Sequence, residues 1–331
     1  MSIHPIRSNR YQWARQFAVL VLLGAYVCPI KISQSAIYDP FGSWAPLTGE
    51  GSCREGELNL LTYNIAGLPE LLSGAKSPRA SSMVEIGVRM AAYDIINVQE
   101  DFHYHKELYR GANKHPYRTA HQDRLPYGDG LNTLSRYPIL FTKRVAWLDC
   151  SGADCLAAKG FSLSRIMVAQ GVTVDVYNVH ANSEDNPRAT LARRNNMKQL
   201  AKYIAENSDQ QALLLMGDFN AHYAAAWDKL HDFVLKNRLT DAWVVTKREG
   251  RTPPVVNDFT PPDKLGLTDS CESIDKIFFR NSAYLAFTPC SYKIQKQYFS
   301  NRYGQPLSDH CAVSLSMKWK RLKGNMLLNV H

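Results

Sequence analysis

Apolar residues recur at every second position in several short stretches of the chain and at helical spacing in others. "VTVDVYNVH" (172–180) places Val172, Val174, Val176 and His180 on one face of a strand. "ELNLLTYNIAGLPE" (57–70) reads as a strand that breaks at Asn64, Gly67 and Pro69. "DIINVQE" (94–100) and "QALLLMGDFN" (211–220) are apolar runs of the length of buried strands. "KGFSLSRIMV" and "VTVDVYNVH" are joined by "AQG", a hairpin signal. "GDGLNTLSRYPIL" (128–140) is a glycine-rich turn feeding a strand, and "SIDKIFF" (273–279) and "HCAVSLSMKW" (310–319) close the chain as strands. In "MVEIGVRMAAY" (83–93), Met83, Ile86, Met90 and Tyr93 fall on one helical face. "PRATLARRNNMKQLAKYIAEN" (187–207) predicts a long helix with Leu191, Met197, Leu200 and Ile204 inward. Residues 246–272, rich in Pro and charge, predict a surface loop. Hairpins mixed with strand–helix alternation predict one sheet-rich α/β domain.

The apolar strands end, or begin, at polar residues of one chemical kind. Asn64 ends the first, Glu100 ends "DIINVQE", His180 ends "VYNVH", and Asp218 and Asn220 end "LLLMGDFN". Asp309 and His310 open the last strand, and Asp275 sits among Ile274, Ile277 and Phe278. A lone histidine on an apolar face is more often a core residue than a catalyst. Asn64 and Asn220 alone suit turns, and Asp218 and Asp309 suit caps. Together they form a kit. A carboxylate beside an Asn carbonyl is a hard oxygen site suited to Mg²⁺, while two histidines and an aspartate supply a base, an acid and an orienting partner. That combination suits cleavage of a phosphate ester.

Composition changes the picture little: 331 residues, 45% hydrophobic and 21% charged, is ordinary for a globular chain. The N-terminus changes it more. A basic, acid-free start (His4, Arg7, Arg10, Arg15) precedes "FAVLVLLGAYVCPI" (17–30) and the small residues Ser33 and Ser35. Residues 1–35 therefore read as a secretory signal peptide, with an uncleaved N-terminal anchor as the alternative. Residues 36–56 follow as a lead-in, 57–320 as the catalytic domain and 321–331 as a tail too polar for a removable lipid-anchor signal. Residues 1–35 hold four of the 39 Lys and Arg and none of the 30 Asp and Glu. The remainder carries 35 basic and 30 acidic residues, a net +5 that suits an anionic partner without naming one. Without Cys28, six cysteines remain: Cys53, Cys150, Cys155, Cys271, Cys290 and Cys311. An even number in an exported chain predicts disulfides. Cys150 with Cys155 closes a small loop, and Cys271 with Cys290 is a second plausible pair. No cysteine spacing resembles a zinc site.

"LTYNIAG", "NVQE", "NVH", "MGDFN", "SIDKIFF" and "LSDH" resemble, in order, the motifs of the endonuclease/exonuclease/phosphatase superfamily. That superfamily includes pancreatic-type deoxyribonucleases, abasic-site endonucleases, inositol polyphosphate 5-phosphatases and neutral sphingomyelinases. The resemblance spans about residues 57–315 and implies a four-layer α/β/β/α sandwich, two mainly antiparallel sheets flanked by helices, with the site at one rim. It also implies roles. Glu100 is the principal ligand of Mg²⁺ or another divalent ion, with Asn64 beside it and Asp309 supporting the metal side. His310 is the general base, oriented by Asp275. Asp218 and Asn220 position water and phosphate. His180 contacts the phosphate as acid or transition-state stabiliser.

Which ester is cut depends on other stretches. "CSGADCLAAKGF" (150–161), "HANSED" after the strand, "RRNNMKQLAKYI" and the aromatic of "QEDFHYH" resemble segments of bacterial sphingomyelinases. Asn182 and Ala158 depart from that pattern, and Cys155 is additional. The long aromatic hairpin by which those enzymes enter membranes is not recognisable; the loop at 246–272 offers Val255, Val256 and Phe259. Asn132, Lys159 and Asn182 are the expected substrate contacts, and His103, His105, His121 and His222 are either contacts or surface. The leading expectation is a secreted, metal-dependent phosphodiesterase acting on a sphingomyelin-like phospholipid at a membrane surface, with no obligate protein partner. The alternatives are a secreted nuclease, whose nucleic acid would meet Arg188, Arg193, Arg194 and Lys198 on one helical edge, and an inactive family member serving as a binding module.

Overall fold

The computed structural model describes residues 53–110, 113, 115–122 and 128–322. The expected signal peptide or anchor (residues 1–35), Cys28, most of the segment 36–56 and nearly all of the segment 321–331 lie outside the described residues.

The chain enters one sheet, builds a second, and returns to finish the first. Strands β1 (Glu55–Asn64), β2 (Ile95–Gln99), β3 (Tyr117–Arg118) and β4 (Asn132–Ser135) begin the first sheet. Strands β5 (Ile139–Ala146), β6 (Gly160–Ala169), β7 (Val172–His180), β8 (Leu213–Asp218), β9 (Thr240–Asp241) and β10 (Asp275–Arg280) make the second. Strands β11 (Leu285–Ile294) and β12 (Val313–Arg321) then complete the first. The orders are β11-β12-β1-β2-β4-β3 and β5-β6-β7-β8-β10-β9. Each sheet holds one parallel pair, β1 with β2 and β7 with β8, and every other pairing is antiparallel.

A parallel pair needs a crossover, and each receives a helix. Helix α1 (Arg79–Met90) joins β1 to β2. The short α2 (His105–Leu108) follows β2, and α3 (Pro187–Asn207) joins β7 to β8. Helices α4 (Leu230–Lys236) and α5 (Ala242–Lys247) lie between β8 and β10. The architecture is thus the expected α/β/β/α sandwich of two mainly antiparallel sheets, each with one parallel pair.

Helix α3 begins and ends where the sequence places it. Asn186 caps it by accepting the Ala189 N–H, and Pro187 occupies the first turn, where its missing donor costs nothing. Met197, Leu200 and Ile204 are buried as expected, but Leu191 is 48% exposed. The buried face runs through Ala189, Arg193, Asn196, Met197 and Leu200, and Leu191 is out of phase with it. Arg193 is likewise not on a solvated edge. It is buried, donating to Asp228 Oδ1 at 2.8 Å and Asp185 Oδ1 at 2.7 Å. Its neighbour Arg194 donates to the Trp227 carbonyl. The basic edge that a nucleic-acid groove would need is therefore partly consumed inside the fold.

The interface between the sheets is apolar at one end and amide-rich toward the other. Leu58, Leu60 and Ile95 of the first sheet share a core with Val174, Val176 and Leu214 of the second. Further along the same faces, Asn97 Nδ2 donates across to the carbonyls of Tyr177 and Met216 at 2.8 and 3.2 Å. In return Asn178 Nδ2 donates to the carbonyls of Val98 and Asn132 at 2.9 and 3.0 Å, and Gln99 Nε2 donates to Asn178 Oδ1 at 2.7 Å. On the outer side of the first sheet, Leu61, Tyr63, Ile96 and Val98 pack with Met83, Ile86 and Met90 of α1.

Cys150 and Cys155 form the expected disulfide across a single 3₁₀ turn. Cys271 and Cys290 do not pair; both are free. Cys271 lies in the loop entering β10 in the second sheet and Cys290 on β11 in the first, each thiol turned to its own segment, on Thr268 and Thr288.

Gly217 sits opposite Val179 in the parallel β7–β8 pair, where an added Cβ would lie 2.0 Å from the Val179 carbonyl oxygen. Neither backbone can yield without breaking the ladder. Gly217→Ala is expected to destabilise the fold by roughly 1–3 kcal/mol, the usual cost of overpacking in a closed core, read as a lower urea midpoint. An unchanged midpoint would show that the strands separate more easily than the register implies.

Candidate active site

Register alone brings three of the predicted residues into one row. His180 ends β7 and pairs with Asp218 at the end of β8. Asp275 begins β10 and pairs with the same Asp218. Paired residues share a face, so all three project from one end of the second sheet on the side where Asn178 meets the first. On the first sheet, the inward row Leu58, Leu60, Thr62 ends at Asn64. Glu100 follows β2 with φ of +60°, a left-handed conformation uncommon for a non-glycine residue. That turn takes its carboxylate out of the strand's alternation and toward Asn64. Asn220, just past β8, is left-handed as well (φ +49°).

The side chains meet around Asp218. Its Oδ2 lies 3.1 Å from Asn64 Nδ2, 3.6 Å from His180 Nε2 and 3.8 Å from His310 Nε2. Its Oδ1 accepts the Asn220 N–H at 2.9 Å. Asn64 Nδ2 also donates to Glu100 Oε1 at 3.0 Å, and His180 Nε2 is 3.8 Å from the same oxygen. His310 Nδ1 donates to Asp275 Oδ2 at 2.9 Å, which leaves Nε2 facing the cluster. Asp309 stands beside this group, with its carboxylate against Gly74, where an added Cβ would be 2.2 Å from Oδ2. The loop carrying it is tied to β1 by Ser308 Oγ, which donates to the Asn64 carbonyl at 2.7 Å.

Some expected residues are brought together and others are not. Glu100, Asn64, Asp218, His180, Asp275, His310 and Asn220 converge. Asn64, however, turns its amide nitrogen to the two carboxylates while its oxygen accepts the Ala66 N–H at 3.1 Å. It orients Glu100 and Asp218 in this arrangement rather than presenting an oxygen to an ion. Lys159 is buried against Asp154, Nζ to Oδ1 2.5 Å, and its charge reaches Glu100 and His180. Asn132 and Asn182 stand apart. Asn132 donates to Asp101 and accepts from Thr119 and Arg144. Asn182 accepts the Ser151 N–H at 2.7 Å and donates to the Ser183 carbonyl. Both amides are committed to bracing loops, a role that their strand-end positions do not distinguish from contact with a substrate.

Two basic residues of the site carry no periodic signal. Lys264, from the loop at 246–272, puts Nζ 3.1 Å from His310 Nε2. Arg79 is wholly buried at the start of α1 and donates to the carbonyls of Ile65, Ala66 and Leu307. It thereby fastens the loop after Asn64 to the loop before His310. A cavity of about 330 Å³ opens beside Asn220, His222, Lys264, Glu272 and Asp275.

Burial and neighbours set the charges. Burial alone would depress His310, but Asp275 and Asp218 outweigh it and hold the imidazole up at about 9. His180 is pushed down to about 3 by burial and by Lys159. Burial disfavours the charge of Asp218, yet His310 and His180 hold its carboxyl well below the usual range. Burial raises Asp275 and Glu100. The two histidines flanking Asp218 are thus shifted in opposite directions, His310 up and His180 down. The donor set fits a hard divalent ion: burial raises Glu100 against the pull of Lys159 and Asn64, a shift that a cation at that carboxylate reverses. Asp275 Oδ1 is buried with no hydrogen-bond partner, a further oxygen available to a cation or water.

Comparison with known proteins agrees with this geometry. Residues 61–310 match the model of the Endonuclease/Exonuclease/phosphatase family. A sphingomyelinase of Mycobacterium bovis is 40% identical over 262 residues, covering 77% of this chain and 51% of the relative. The chain thus spans about half the length of that curated relative. The fold is shared with a magnesium-bound mutant of beta toxin from Staphylococcus aureus (TM-score 0.54, 16% identity, 78% of this chain and 99% of that one). It is shared equally with D. rerio TDP2 complexed with a single-strand DNA product (TM-score 0.58, 14% identity, 79% and 99%).

The His310 charge predicts a pH dependence of stability in EDTA. A histidine raised from 6.5 to about 9 by folding lends stability that is fully present below pH 6.5 and lost as pH rises through about 9. The urea midpoint of the wild type should fall toward that of His310→Gln across this window. Lys264→Met removes a charge that opposes the rise and should carry the loss to higher pH. Parallel wild-type and His310→Gln curves from pH 6 to 10 would show that His310 is not held charged.

Proposed function

The chain belongs to the endonuclease/exonuclease/phosphatase family, and from that premise we propose a divalent-metal-dependent phosphodiesterase that hydrolyses a sphingomyelin-like phospholipid, releasing the phosphorylated headgroup. The observation that carries the chemistry is the pair of histidines on either side of Asp218, one of them, His310, oriented through Nδ1 by Asp275 with Nε2 facing the cluster.

In its neutral form His310 receives the proton of the attacking water at Nε2, with Asp275 fixing the ring through Nδ1 and stabilising the imidazolium that results. Lys264 next to Nε2 opposes that charge and offsets part of the pull of Asp275 and Asp218. His180, neutral and buried, offers a hydrogen bond to a phosphoryl oxygen as charge builds there. Asn220 and Asp218 hold the water and phosphate between the two rings. Glu100 would hold Mg²⁺, with Asp309 alongside and Asn64 orienting the carboxylate. When bound, the ion supplies positive charge to the phosphoryl oxygens.

The lipid substrate is supported by the 40% identity to a sphingomyelinase and by the surface around the rim. Leu71 and Leu72, in the loop after β1, and Leu156, in the disulfide loop before β6, are exposed at that rim. Such side chains suit an interface with acyl chains better than a polyphosphate groove. The magnesium in the beta toxin structure supports the choice of ion. Secretion belongs to the same proposal and rests on the basic–apolar–small pattern of residues 1–35.

The test is to incubate the protein with Mg²⁺ and either sphingomyelin vesicles or supercoiled plasmid. Phosphocholine release with intact plasmid is expected, abolished by EDTA and reduced roughly 10²–10⁴-fold in kcat by His310→Ala, the usual weight of a general base. Nicked plasmid with no phosphocholine would replace the lipid reading with the nuclease reading. Turnover of neither would leave the binding module, and full activity in EDTA would remove the metal.

A further inference from the structure

Immediately after Glu100 the chain builds a second cluster that the phosphodiester chemistry does not use. Asp101 is 1% exposed. Its Oδ2 accepts three hydrogen bonds, from His105 Nδ1 at 2.7 Å, Asn132 Nδ2 at 2.7 Å and the Tyr109 hydroxyl at 3.0 Å. Its Oδ1 is also buried and accepts no hydrogen bond from the described residues. A carboxylate saturated at one oxygen and bare at the other is costly in a protein interior unless something positive reaches the bare atom.

Two imidazoles lie near the same carboxylate. The rings of His105, on α2, and His121, past β3, lie 4.0 Å apart and tilted by 31°. Asp101, His105 and His121 each bring a ligand atom to within 4.8 Å of the others. We propose that these three residues form a second metal site, selective for a borderline ion such as Zn²⁺. Two imidazoles and one carboxylate suit Zn²⁺ and leave its fourth position to water, whereas Mg²⁺ prefers oxygen donors alone.

The surroundings are those of a held site. His105 Nδ1 and Asp101 Oδ2 lie 2.7 Å apart and share a proton that an ion bound by both would displace, while Asn132 and Tyr109 fix the carboxylate. This gives Asn132 a use other than substrate contact. The position also has a consequence. The Asp101 N–H donates to the Gly130 carbonyl at 3.0 Å, so the cluster lies at the root of the strained turn that aims Glu100. An ion there ties that turn to α2 and to the segment leaving β3. The site is therefore a clamp on the main site and takes no part in its chemistry.

The test uses the full chain with the main cluster disabled by Asp218→Asn and His310→Ala. Titration of this variant with Zn²⁺ alone should show one bound equivalent and a higher Tm. Adding His105→Gln or His121→Gln should weaken binding more than tenfold and abolish the Tm rise. Co²⁺ in place of Zn²⁺ should give visible absorption bands of a low-coordinate nitrogen-ligated ion, lost in the same variants. If the disabled chain takes up no Zn²⁺, or if binding and the Co²⁺ spectrum survive both glutamine variants, the site does not exist. Because the readouts are binding, Tm and absorption, the result is independent of whether sphingomyelin is cleaved.

Discussion

The negative charge of Asp218 is the interaction on which the rim depends. Buried at the end of a strand, its charge is disfavoured by desolvation. Two histidines, the Asn64 amide and the Asn220 N–H surround it and keep it ionised. In turn Asp218 and Asp275 together raise His310. No member of this group has its state without the others. A site of this kind tolerates little displacement, because each charge is stable only in the field of its neighbours.

The fold supplies that precision by mating two similar halves. Each sheet has one parallel pair bridged by one helix, β1-α1-β2 and β7-α3-β8, and the site lies where the carboxyl ends of the two pairs meet. Apolar contact between sheets is permissive of sliding. The reciprocal amide bonds of Asn97, Gln99 and Asn178 are not, since a one-residue slip would strand several buried donors. These amides lie within a few residues of Glu100, His180 and Asp218, so relative position is most tightly specified near the chemistry. Arg79 performs the matching task for the loops, fastening the exit of β1 to the approach to His310.

Much of this was legible in the sequence, for a physical reason. Strand period and apolar runs mark β1, β2, β7, β8 and β10, and a polar residue ending an apolar run marks the rim, because only there does a buried strand meet solvent. Asn64, His180, Asp218, Asp275 and His310 could be gathered from that logic. What escaped depends on contacts distant in the chain. The buried side of α3 is set by Asp228 as much as by hydropathy, which buries Arg193 and releases Leu191. Cys271 and Cys290 look like a pair along the chain but belong to loops and strands of different sheets. Lys264 comes from a loop without periodicity, and the direction of the Asn64 amide is fixed by a single backbone N–H two residues on. Asn132 and Asn182 sit near strand ends like the residues that converge on Asp218, and only their partners show that their amides brace loops.

Glu100 shows how these levels combine. By strand alternation its side chain belongs on the outer face of the first sheet, with Val98, against α1. It reaches the rim because its backbone is left-handed, a conformation that costs on the order of 1–3 kcal/mol at a non-glycine residue and persists only where the surroundings overdetermine it. Those surroundings can be named. The Glu100 carbonyl accepts the N–H groups of Gly67 and Phe102, the Asp101 N–H is held by Gly130, and the carboxylate is held by Asn64. Gly67 must be glycine there, since a Cβ would lie 2.2 Å from the Glu100 carbonyl oxygen. The "NIAG" and "QED" stretches, read from the sequence as separate strand exits, are thus one structural unit. Its product is a single carboxylate turned from the core toward the place where a cation and a phosphate would meet.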